Sequence, residues 1–160
     1  LDPLQGGGSL FEMGSYPLLP IAKLLGTDYL NINIYSRMND NGVDVYTRGV
    51  IMHQKAVSSF QLGLGVKTEG DLVVSGTKGY VYVPSPWWKT DYFELRYEDQ
   101  NKNKKYFYTW DEPGLRYEIQ EFVSCIVNSR MVSSRLTPKE SIFMADVMHQ
   151  FAQRKNFFEI

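Results

Sequence analysis

The run Leu30-Asn31-Ile32-Asn33-Ile34-Tyr35 alternates apolar and polar side chains one for one, which predicts a strand with a single apolar face. Upstream the spacing is different. Leu10, Met13, Pro17, Leu18, Ile21, Leu24 and Leu25 recur at intervals of three and four, the pattern of a helix with one buried face. Pro17 and Pro20 fall inside that pattern, so the segment is predicted to be kinked, or to form two short helices around Tyr16, and Gly26 closes it. The chain thus passes from helix to sheet near Asp28.

Downstream the period of two continues. Asn39-Asp40-Asn41-Gly42 is a turn signal, and residues 43–54 and 56–66 read as two further strands, with Phe60, Leu62 and Leu64 on one face of the second. Glycines at 49, 63 and 65 mark bulges or crowded approaches. Residues 71–83 give two short strands about a glycine turn, ended by Pro84 and Pro86, and residues 92–98 and 104–110 form a hairpin around a polar connector. Two helices follow. The first carries the stripe Leu115, Ile119, Phe122, Val123, Ile126 and Val127 behind Pro113-Gly114. The second starts at the capping box Thr137-Pro138-Lys139-Glu140 and carries Met144, Val147, Met148 and Phe151. About seven consecutive strands with no helix between them predict an α+β fold: one open, mainly antiparallel sheet with helices packed on one face. At 160 residues the chain is read as a single domain.

Chemistry concentrates in Gly6-Gly7-Gly8-Ser9-Leu10-Phe11-Glu12-Met13-Gly14-Ser15-Tyr16. If residues from Leu10 onward are helical, Glu12 and Tyr16 leave the same face of one turn. A backbone edge at Gly7 and Gly8 beside an acid and a phenol can form a reaction site. The same residues also make a plain helix start. Trp87 and Trp88 offer indole faces on which a sugar can stack, or they cover a sheet edge at a proline turn.

Composition excludes several classes. With 17 basic and 18 acidic residues the net charge is −1, so no field gathers nucleic acid, and Lys102, Lys104 and Lys105 read as a solvated hairpin tip. His53 and His149 have no partners at metal-ligand spacing, so no metal site is predicted, and Ser58-Ser59 has no base nearby. No apolar run approaches the roughly 18 residues that span a bilayer, and the one cysteine, Cys125, has no disulfide partner, so the chain is read as cytoplasmic and not membrane-bound. Its start, Leu1-Asp2-Pro3-Leu4, reads as a chain cut from something longer. Tyr35, Tyr46 and Tyr82 populate a sheet face suited to a homodimer.

Four segments together resemble the second domain of the glucose-fructose oxidoreductase and inositol dehydrogenase (Gfo/Idh/MocA) family. They are the glycine motif through Tyr16-Pro17-Leu18, the turn Ser75-Gly76-Thr77-Lys78-Gly79, the helix start Tyr117-Glu118-Ile119-Gln120-Glu121-Phe122, and the last helix from Thr137. The resemblance implies an upstream Rossmann domain that binds NAD or NADP and is absent from this chain. It also implies a role for this domain in shaping a pocket for a sugar or sugar derivative, and homo-oligomers formed through the open sheet face. Tyr16 matches the tyrosine that, in one branch of the family, acts with a lysine of the first domain in proton transfer. Glu12 stands where the family usually has aspartate and is expected to orient the substrate or Tyr16. On this reading the chain binds no cofactor alone and is inactive by itself. The alternative is a non-catalytic oligomerisation or interaction domain with a structural glycine motif.

Overall fold

The computed structural model describes residues 2, 5–109 and 114–160. In chain order the elements are α1 (Ser9–Met13), α2 (Ser15–Leu25), β1 (Asn31–Met38), β2 (Asp44–Met52), β3 (Val57–Gly63), β4 (Leu72–Gly76), β5 (Gly79–Val83), β6 (Tyr92–Arg96), β7 (Lys104–Phe107), α3 (Leu115–Val127), α4 (Pro138–Ala152) and β8 (Phe157–Glu159). They fall into two compact units, one made of the residues up to Lys67 together with Ser124–Ile160, the other of Thr68–Val123. Trp110 and Pro113, assigned above to a strand end and a helix boundary, lie outside the described residues.

The first unit holds a sheet in the order β3-β2-β1-β8. β1 pairs antiparallel with β2, and β2 with β3, while β8 adds to the other edge of β1 in parallel. Alternation along β1 buries Ile32, Ile34 and Ser36 on one face. Leu10, Leu18 and Ala22 from α1 and α2, and Phe143, Val147 and Phe151 from α4, cover that face and join Ile51, Phe60 and Leu62 in one core. The opposite face carries Tyr35, in register with Arg48, and Tyr46, in register with Arg37. Tyr35 also stacks on Phe158, with centroids 5.0 Å apart.

Gly49 has a steric reason. It stands opposite Phe60, whose ring lies where a Cβ would be, so the aromatic packs flat on bare backbone. The predicted capping box opens α4, with Thr137 and Glu140 each taking the other's amide.

The second unit is a four-stranded antiparallel sheet in the order β4-β5-β6-β7. On one of its faces Arg96 stacks over Tyr82 at 4.3 Å and pairs with Glu94 at 2.6 Å, while Lys105 sits 3.3 Å from the Tyr92 ring centroid.

The α+β class and the mainly antiparallel pairing hold. The single sheet of about seven strands does not: among the described residues eight strands form two sheets of four. Alternation lapses after Gly63, and the polar stretch Lys67-Thr68-Glu69-Gly70-Asp71 carries the chain out of the first sheet before β4 begins. Tyr82 accordingly lies in the other sheet from Tyr35 and Tyr46. Leu30 precedes β1 and is exposed, as is Leu64 beyond β3. The stripe on α3 is helical as predicted, but none of its residues is buried; Phe122 is 67% exposed.

Candidate functional site

The glycine motif sits against β2. α1 begins after Gly8, which has φ 141° and no side chain to cap the helix. The cap comes from Asp44, 34 residues on. Its Oδ2 accepts from the Leu10 amide at 2.9 Å, the Ser9 hydroxyl at 2.5 Å and the Thr47 hydroxyl at 2.7 Å. Since Thr47 spends its one proton on Asp44, the Ser36 hydroxyl 2.8 Å away donates to Thr47 in turn. Asp44, Ser9, Ser36 and Thr47 are all buried, and a buried carboxylate is tolerated here because donors surround it.

A β-bulge aims Asp44 inward. Arg37 pairs with Tyr46, but Met38 pairs with Asp44, leaving Val45 as an extra residue on β2. Strict alternation would place Asp44 on the same face as Tyr46. The bulge turns it to the core side, where Thr47 lies.

Gly14 alone separates α1 from α2. It keeps helical angles, and the ladder runs through it, from the Gly14 amide to the Leu10 carbonyl at 2.8 Å and from the Leu18 amide to the Gly14 carbonyl at 3.1 Å. Tyr16 is thus the second residue of α2. Pro17 lies in the first turn of α2, where proline is tolerated, whereas Pro20 removes the i→i−4 bond to the Tyr16 carbonyl. Tyr16 is 50% exposed and Glu12 is exposed, so the break carries both side chains at the surface of the first unit. An edge-on contact of Phe11 with Phe151, at 5.8 Å, holds α1 against α4.

Among the other predicted site residues, Gly7 is half-buried, and Gly8 is buried with Asp44 Oδ1 where a Cβ would stand. Trp87 and Trp88 form a 3-10 turn in the second unit, after a cis Ser85–Pro86 bond, with rings edge to face at 6.0 Å. A groove of about 340 Å³ at the β1–β2 turn is lined by Arg37, Asn39, Asp40 and Tyr46 among others, and includes neither Glu12 nor Tyr16. Gly63-Leu64-Gly65 ends an antiparallel strand with no helix after it, so these residues do not form a dinucleotide cradle. Among the described residues, no three His, Cys, Asp or Glu side chains are grouped to hold a metal ion, and no helix is long and apolar enough to cross a membrane. Sequence reasoning missed Asp44. Its only signal is an acid between Val43 and Val45, at the mouth of a strand.

No family model matches the chain. In an alignment 158 positions long that covers 94% of the chain, it is 26% identical to trans-1,2-dihydrobenzene-1,2-diol dehydrogenase of Oryctolagus cuniculus, and the human enzyme of that name is 24% identical in an alignment of 159. The chain spans about half the length of these curated relatives. Its fold matches that of KijD10, a 3-ketoreductase from Actinomadura kijaniata solved with NADP and TDP-benzene, with a TM-score of 0.80 over 97% of this chain and 47% of that one at 16% identity. It also matches an aldose-aldose oxidoreductase from Caulobacter crescentus complexed with glycerol, with a TM-score of 0.74 over 92% of this chain and 45% of that one, again at 16% identity. The chain is therefore similar in sequence, over nearly all of its length, to about half of the dihydrodiol dehydrogenases, and its fold is that of about half of each sugar oxidoreductase it matches.

Proposed function

We propose that this chain is the substrate-binding and oligomerising part of a cytoplasmic oxidoreductase that moves hydride between NAD or NADP and a sugar or sugar derivative. The observation that carries the reading is the alignment of 94% of the chain with a dehydrogenase. Both compact units act together as the C-terminal domain, and a Rossmann domain upstream holds the cofactor. On this reading the chain holds no cofactor by itself and is inactive alone. The nicotinamide, when bound upstream, supplies the hydride acceptor.

Tyr16 moves the proton. A carbinol carbon gives up hydride only as its hydroxyl loses a proton, and an accessible phenol with a lysine of the first domain beside it serves as base, or as acid in reverse. Glu12, one helical turn before Tyr16, orients the substrate or the phenol. Gly7 and Gly8 form the backbone edge of the site, and in the second unit Trp87 and Trp88 offer indole faces of their own on which a sugar stacks. The sheet face bearing Tyr35, Tyr46 and Phe158 carries the homo-oligomer contact, and sedimentation of a monomer at high micromolar concentration would remove that part of the reading.

The deciding experiment assays the full-length enzyme over aldoses, inositols and nucleotide sugars with both cofactors, then repeats the active pair with Tyr16→Phe. A loss of about 100-fold or more in kcat is expected, on the usual size of general acid–base effects. Unchanged turnover would sink the role of Tyr16. Silence across the panel from protein that binds cofactor would favour a non-catalytic assembly domain.

A further inference from the structure

We propose that Asp44 is a positioning residue for Tyr16, holding the start of α1 so that the phenol on the following helix, α2, stands in one place. The inference rests on the role proposed above for Tyr16. Five residues of helix cannot hold themselves in water, so the junction with α2 and tertiary contacts decide where α1 lies. The structure provides apolar packing, of Leu10 in the core and of the Phe11 ring against Phe151 on the α4 side, and a second kind of contact in Asp44 on the sheet side.

The second is specific in a way that apolar packing is not. Oδ2 fixes the Leu10 amide and the Ser9 hydroxyl together, and Oδ1 fills the place of a Cβ on Gly8. That occupancy is a sufficient reason for glycine at position 8. The carboxylate itself cannot drift, because Thr47 and, behind it, Ser36 tie it to β2 and β1. From Leu10 the helical ladder runs through Gly14 to Leu18, so a shift of α1 is passed to Tyr16. The Val45 bulge, which breaks the strand's alternation to bring Asp44 inward, has this as its structural result.

The test uses the full-length protein with Asp44→Asn, which keeps shape but leaves one acceptor oxygen, and the milder Thr47→Val, which removes one donor from Asp44. Hydrogen exchange is read in peptides covering residues 8–18 and residues 31–52. Faster exchange confined to residues 8–18 is expected; unchanged exchange there overturns the inference whether or not a substrate is known. With trans-1,2-dihydrobenzene-1,2-diol or D-xylose and NADP⁺, folded variants should lose about tenfold or more in kcat, with KM for NADP⁺ little changed, as a misplacement of under 1 Å would cause. The loss should vanish when Tyr16→Phe is already present. Variants that melt earlier yet keep full kcat per folded site would make Asp44 merely structural. If Tyr16→Phe is slow while both variants are fast, only this inference falls; if Tyr16→Phe turns over normally, the role of Tyr16 falls and this inference with it. Should Asp44→Asn fail to fold, Thr47→Val decides.

Discussion

Lys23 Nζ lies 2.7 Å from Glu140 Oε1 and 2.9 Å from Oε2, fastening α2 to the first turn of α4. The same carboxylate accepts the Thr137 amide at 2.7 Å, so one side chain closes the capping box and the helix contact together. The hydrogen bond from Lys23, then that from Thr137, holds the Glu140 carboxyl below the usual Glu range. With the folded pKa below the unfolded one, this contribution is complete above the ordinary Glu value of about 4.3 and is lost as pH falls through the lowered folded value. Melting temperature measured from neutral to acid pH should therefore drop less steeply for Lys23→Met than for the parent. Parallel curves would show that the pair does not couple to folding.

Tyr29 titrates late. Burial first, then the Asp146 carboxylate that its hydroxyl faces, pushes the phenol up to about 12. Because the folded pKa is raised, the stabilisation is whole below the ordinary value near 10 and disappears as pH rises through the folded one. Phenolate absorbance should show a final step that Tyr29→Phe abolishes. The substitution should also cost about 1–2 kcal/mol in urea denaturation, since Asp146 loses a donor.

Gly49→Ala should cost about 1–3 kcal/mol, because the new methyl would enter the Phe60 ring and overpack the core. Adding Phe60→Leu should recover part of the loss, and urea titration of the three variants measures it. Equal and additive losses would show that the two residues do not share space.

Leu18→Ala, at a position with no exposure, should destabilise by about 2–5 kcal/mol. Phe122→Ala, on the exposed stripe of α3, should stay within about 0.5 kcal/mol in this chain alone. A large loss at Phe122 would mean that the stripe is buried in solution.

Local period made the elements legible. The helix break near Tyr16, the turn at residues 39–42, the capping box at Thr137 and the strands from Asn31 to Gly63 all follow from spacing and turn chemistry acting over a few residues. What was not legible depends on distance along the chain. The stripe of α3 has helical spacing, yet spacing does not reveal whether a partner covers it. β8 is three residues long and pairs with β1 from the far end of the chain, and the division into two sheets is a matter of which strands bond. At the candidate site, Tyr16 and Glu12 stood out because the glycines flank them. Asp44 did not, because its burial is created by a bulge one residue later, by a hydroxyl from α1 and by one farther along its own strand.

The parallel pairing of β8 with β1 also bears on how the protein is made. β1 is translated before β4 to α4, but the strand that covers its free edge comes from residues 157–159, after all of them. Until then the nascent chain presents an unsatisfied row of backbone donors and acceptors, open to strands of neighbouring chains on the same message. Product stalled before Phe157 is therefore expected to aggregate more readily than the finished chain.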